Sequence, residues 1–244
     1  MVSGVFAVVS LITVWVAAAP PAKITSEVAL TVDITAEVHS LLTFIESSLA
    51  SGELYNERRD QVRRQAIQVA ILAQASADHD ALSIWKESAP ELRDAALVLA
   101  RSKSLPLEEA AMSLEKAKEA IAGKLSGRPA AEADWGKLAS TGTLMSIMKE
   151  RTELIRKGLR KPKDPAVESR NAMVVSIMAL ALHNTTHALK DPAEKPAWQE
   201  ICMELQVHMS RAADAVRSKD PGSAADHFRM GMEACDKCHQ KFKP

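Results

Sequence analysis

The stretch that decides the fold closes the chain: Pro221-Gly-Ser-Ala-Ala-Asp-His-Phe228-Arg-Met-Gly-Met232-Glu-Ala-Cys235-Asp-Lys-Cys238-His239-Gln-Lys-Phe242. Phe228, Met232, Cys235, His239 and Phe242 recur every three or four residues and form one stripe of a helix. Asp220 stands just before Pro221. That pair is an N-cap acceptor followed by a residue whose fixed φ suits the first helical position. A stripe of this kind is usually plain core. This one carries two thiols and an imidazole.

Those three residues form the pentad Cys235-Asp-Lys-Cys238-His239. A C-x-x-C-H pentad reads as a c-type haem attachment site. Two thiols add across the porphyrin vinyl groups, and the adjacent imidazole coordinates the iron. On a helix the three residues fall at i, i+3 and i+4 and share one face. The expectation is one covalently attached haem c per chain, held by Cys235 and Cys238, with His239 as proximal ligand to the iron. A C-x-x-C pair also reads as half a zinc site, a redox dithiol or a disulfide. A structural zinc site takes four ligands. The chain offers one further cysteine, Cys202, and scattered histidines such as His208 and His227. A thioredoxin-like site needs a βαβ context, and the sequence shows no strand pattern. Cys202 lies among Ile201, Met203 and Leu205 and reads as a buried, inert thiol.

Moving outward, helical periodicity runs through the chain, broken by Pro, Gly and Asp. It predicts helices at about 27–50, 58–77, 81–102 and 106–122, then at 135–159, 166–188, 193–217 and 221–242. Asp164-Pro165 and Asp191-Pro192 repeat the start signal of the last helix. Residues 124–134 hold the small and turn-forming residues of a linker. The fold class is therefore all-α, as two tandem up-down-up-down four-helix bundles at 23–123 and 135–244.

Composition agrees. The chain has 244 residues, no net formal charge and only 4% aromatic residues. Neutrality gives no footprint for nucleic acid. Val2–Ala19 is apolar apart from small hydroxyl residues and Gly4, and Ala17-Ala18-Ala19-Pro20-Pro21 follows. Residues 1–22 read as a signal peptide cleaved after small residues, or as an uncleaved amino-terminal membrane anchor. No Lys or Arg precedes the apolar stretch. Both readings place the rest of the chain outside the cytoplasm, in a periplasm or otherwise exported.

Four helices, a linker and four helices suggest an internal repeat. Arg64-Gln-Ala-Ile matches Arg170-Asn-Ala-Met. Ile84-Trp85-Lys-Glu matches Ala197-Trp198-Gln-Glu. Ala100-Arg101-Ser-Lys matches Val216-Arg217-Ser-Lys. In the last of these registers Cys235, Cys238 and His239 fall opposite Glu119, Ala122 and Gly123. The first copy keeps the helices and lacks every residue needed to hold haem.

A four-helix bundle with C-x-x-C-H near its carboxyl end resembles the class II cytochromes c, the cytochrome c′ family. The resemblance covers residues 135–244. It includes Trp198 early in the third helix, Phe228 ahead of the motif, and Ala234-Cys235-x-x-Cys238-His239-x-x-Phe242. The first half resembles the family only through its pairing with the second, chiefly at Trp85. The family commonly has an arginine after the last aromatic; here Lys243 follows Phe242. The resemblance implies that Phe228 and Phe242 flank the haem. It also implies that a residue of the first helix meets the far side of the iron. A methionine there gives a six-coordinate haem suited to electron transfer. An apolar residue leaves the iron open to NO or CO. That helix reads Thr143-Leu144-Met145-Ser146-Ile147-Met148. Met145 is the expected distal ligand and Leu144 the alternative, since Met148 sits about one turn (~4.5 Å) deeper. Class II cytochromes often pair through their first two helices, so a duplicated chain could form a pseudo-dimer within itself.

The expected function is one-electron transfer to a redox partner protein. The alternative is binding of NO or CO, and the second alternative is a non-redox helical module with zinc at the pentad. No Ser/His/Asp constellation, phosphate loop or paired carboxylates point to an enzyme. His183 and His187 are spaced i, i+4, with no carboxylate to complete a metal motif. They read as a solvated helix end.

Overall fold

The computed structural model describes residues 24–101, 104–127, 133–186 and 189–242. The amino-terminal segment, and so the choice between signal and anchor, lies outside them, as do His187 and Lys243. Among the described residues there are eight α-helices in sequential antiparallel pairs and no strands. They are α1 (Thr31–Ser48), α2 (Gly52–Asp78), α3 (Ala89–Leu99), α4 (Leu107–Ile121), α5 (Thr141–Arg160), α6 (Pro165–Asn184), α7 (Lys195–Arg217) and α8 (Pro221–Phe242). None of the described helices is long and apolar enough to cross a membrane.

Helix starts follow the local capping chemistry. Asp164 Oδ1 accepts from the Ala166 and Val167 amides, and Asp220 Oδ1 accepts from the Ser223 amide at 3.0 Å. Both precede a proline, as the sequence suggests. Asp191 caps a single 3-10 turn, Pro192–Glu194, before α7 begins at Lys195. Three boundaries differ from the periodic reading. α2 begins at Gly52 because Ser51 Oγ accepts from the Leu54 amide at 3.2 Å. The helix expected from 81 begins only at Ala89, next to Pro90. The residues before it are turns that sink Trp85 completely, with its indole N–H donating to Thr35 Oγ1 at 3.0 Å. The helix expected from 135 is divided. A 3-10 turn, Trp135–Lys137, comes first, and Ser140 then caps α5, its Oγ accepting from the Thr143 amide.

α6 is buried almost all round from Asn171 to Leu182. A helix apolar on every side belongs inside the molecule. α6 packs on α5 and α7, and its remaining face meets α1 and α2. α2 makes the matching contacts from the other half, to α1, α3, α5 and α6. The meeting face carries a buried polar network. Arg151 of α5 donates to Glu37 Oε1 (2.5 Å), Gln68 Oε1 (2.7 Å) and Asn171 Oδ1 (3.0 Å). Arg170 reaches the second Glu37 oxygen at 3.5 Å. Asp33 and Arg217 form a further ion pair between the halves at 2.5 Å.

Candidate functional site

Four helices converge on one cleft at the carboxyl end of α8. Met145 and Met148 of α5 form one wall. Ala234, Cys235, Cys238 and His239 of α8 form the opposite wall. Leu182 of α6 and Ile201, Cys202 and Leu205 of α7 complete the lining. As it stands the cleft is nearly closed, with about 20 Å³ of free volume, room for roughly one water, so a larger group would have to part α5 from α8. α5 rests only lightly on α8, whereas α7 packs closely on both α6 and α8. Gly231 helps α8 approach α7: a Cβ there would stand 2.6 Å from Met209 Cε.

The spacing of the pentad on α8 puts Cys235, Cys238 and His239 along this wall. Cys238 is buried, Cys235 half-buried and His239 exposed at the mouth. Burial pushes the Cys235 thiol up to about 11, with Cys238 beside it adding to the shift. Burial raises Cys238 as well. Cys202 is raised far above the ordinary thiol range, first by burial and then by the two neighbouring cysteines. None of the three is drawn toward the thiolate form by a basic neighbour, the usual sign of a reactive cysteine. Among the described residues no three His, Cys, Asp or Glu side chains are grouped to hold a metal ion.

The sequence candidates divide into two sets. Met145, Cys235, Cys238 and His239 come together in the cleft, and Met148 joins them. Leu144 is fully buried and does not line it. Phe228 and Phe242 do not line it either. Phe228 packs in the core under the Arg156 guanidinium, 5.8 Å from its ring centroid. Phe242 meets Trp198 edge-on, with centroids 5.2 Å apart. Trp198 is held in turn, its indole donating to the Leu182 carbonyl at 2.9 Å. His183 lies in the last turn of α6, its Nδ1 buried without a hydrogen bond and its proton affinity lowered by burial.

Leu182, Ile201, Leu205 and Ala234 were not legible as site residues. Each is an ordinary apolar residue on a helix face, and only the crossing of helices assigns it to the cleft. Cys202 is as buried as its apolar neighbours suggest, but it also forms part of the cleft wall.

The donor set suits a covalently held porphyrin. Two thiols and an imidazole lie on one wall, thioether sulfurs on the other, and the remaining lining is apolar. The equivalent place in the first half offers nothing comparable. α4 ends at Ile121, and Glu119, Ala122 and Gly123 are exposed. Comparison with family models, with characterised proteins and with solved structures found no match to this chain.

Proposed function

We propose that this chain is an exported c-type cytochrome of the class II type, an electron carrier rather than an enzyme. The observation that supports it best is the juxtaposition across one apolar cleft of Cys235, Cys238 and His239 with Met145. In this reading the carboxyl half, 135–244, is an up-down-up-down four-helix bundle that binds one haem c. The half at 23–123 is a second such bundle without haem, and 124–134 links them. Bound haem supplies an iron couple that accepts and returns one electron. Cys235 and Cys238 hold the group through thioether bonds, and His239 ligates the iron from the α8 side. Met145 offers a thioether from α5, which favours the ferrous state and raises the potential. Leu182, Ile201 and Leu205 keep water from the cleft, which further tunes the potential.

Contacts of α1 and α2 with α5 and α6 support a pseudo-dimer within one chain, joined through the first two helices of each half. The test of the central reading is made in a host competent for cytochrome c assembly. Haem should migrate with the polypeptide on a denaturing gel, because thioether bonds survive unfolding. The double substitution Cys235→Ser, Cys238→Ser should release it. Loss of haem from the unmodified chain in acid-acetone would sink the proposal. A high-spin ferric spectrum with covalent haem would instead favour NO or CO binding. A colourless chain carrying zinc would favour the non-redox module.

A further inference from the structure

α7 and α8 also meet well away from the cleft, and there two histidines face one another. His208 of α7 and His227 of α8 share a hydrogen bond between their Nδ1 atoms at 3.3 Å, one ring N–H donating to the other, a proton that a bound ion would displace. The ring centroids are 5.6 Å apart and the planes are tilted by 30°. Both rings are half-buried, so solvent reaches them. Along α8 the pair stands about 18 Å from His239. It is therefore separate from the pentad, and the proposed haem reading does not use it.

The geometry points to a binding site for a divalent ion of the zinc class, held between His208 and His227. The separation of the nitrogens carries the argument. Zinc takes imidazole nitrogen at about 2.0–2.1 Å, so two ligands at the tetrahedral angle lie about 3.3–3.4 Å apart. The observed 3.3 Å already meets that requirement without moving either helix. A square-planar ion would need adjacent nitrogens at about 2.8–2.9 Å, and the pair would have to close further.

The surroundings favour the ligating form. Neutral imidazole binds metal. The proton affinity of His208 is lowered, first by burial and then by His227 beside it. Glu204 lies one turn before His208 on the same face of α7 and supplies negative charge. Its carboxylate accepts from Lys237 Nζ of α8 at 2.6 Å, which offsets that lysine. Arg211 is the remaining cation acting on His208 and opposes a bound ion. Two protein ligands leave the other coordination positions to water. The site is thus an exchangeable one that clamps α7 to α8, unlike a four-ligand structural site.

The experiment is a calorimetric titration of zinc chloride into the full-length, haem-loaded protein near neutral pH. One zinc per chain should bind. His208→Ala and His227→Ala should each weaken binding roughly tenfold or more, since either removes half of the protein ligands. Binding should fade as pH falls through the imidazole range, because protons compete with the ion. Far-UV circular dichroism checks that each variant folds, and His227→Gln replaces any that does not. No binding to the unmodified chain overturns the proposal. Zinc bound equally well by both alanine variants also overturns it, because the ion then sits elsewhere.

Discussion

At the scale of single residues, if the cleft holds haem as proposed, the α5 side of the cleft decides between electron transfer and gas binding. Both Met145 and Met148 line it, while Leu144 points into the core. That placement weakens an open iron faced by leucine and leaves two thioethers in competition. Only one sulfur can occupy an axial position. Met145 is half-exposed and lies nearer the start of α5, whereas Met148 is 5% exposed and acts as packing. Met145→Ala should therefore remove the weak near-infrared sulfur-to-iron band of the ferric protein. It should also lower the potential and make ferrous CO binding fast. Met148→Ala should keep the band and lose stability by about 2–5 kcal/mol, as for any buried methionine truncated to alanine. Loss of the band in Met148→Ala, with retention in Met145→Ala, would exchange the two assignments. The pentad and Met145 could be named from the sequence because residue type and spacing single them out, and the structure brings them to one cleft. That Met145 lines the cleft while Leu144 does not follows from the rotation of α5, which helical periodicity alone leaves loose by one position.

Among the elements, the helices were legible and some of their ends were not. Asp-Pro pairs carry their own capping chemistry, so the starts of α6 and α8 could be read directly. The start of α3 could not, because Trp85 is drawn into the core from a turn, and tertiary burial there overrides helical periodicity. The helix ends show a contrast between the halves. Each of two helices ends two residues before a left-handed position, Gly123 with φ +79 after α4 and Lys219 with φ +58 after α7. The Lys124 amide bonds back to Glu119 O, and the Asp220 amide to Ala215 O, which is the same closing pattern. A lysine in the left-handed region bears a steric cost that glycine does not. Lys219→Gly should thus raise stability by about 0.5–1 kcal/mol, seen as a higher midpoint in urea with an unchanged slope. The reverse test is Gly136→Ala. A Cβ there would stand 2.6 Å from the Asn184 carbonyl oxygen, a backbone atom at the end of α6 that cannot easily give way. The 3-10 turn would lift from α6, and the midpoint should fall.

For the whole molecule, the question is why a half without the pentad is kept against the half that carries it. The sequence shows a pattern of matched residues between the halves, but the face by which the halves meet was not legible in it. Glu37, Gln68, Arg151 and Asn171 are scattered over four helices, and nothing in the sequence marks them as partners. Glu37 is buried, and its carboxylate accepts a hydrogen bond from Arg151 and lies 3.5 Å from Arg170 Nε, which itself is buried without a hydrogen bond. A buried ion pair of this kind adds little over an apolar contact, but breaking it by removing one partner costs about 3–5 kcal/mol. It therefore specifies which faces meet more than it holds them together. With the first two helices of each half already used inside the chain, the full-length protein should sediment as a monomer carrying one haem. Arg151→Ala leaves Glu37 buried with Arg170 as its single cation, at 3.5 Å. Unfolding should be followed in urea at two wavelengths, the haem band for the carboxyl half and far-UV circular dichroism for all helices. In the unmodified chain the two signals should coincide, because the halves unfold together. In Arg151→Ala they should separate, with the haem signal persisting beyond the first loss of helix. Coincident curves at an unshifted midpoint would show that the polar network does not couple the halves, and the pseudo-dimer would reduce to two bundles that merely touch.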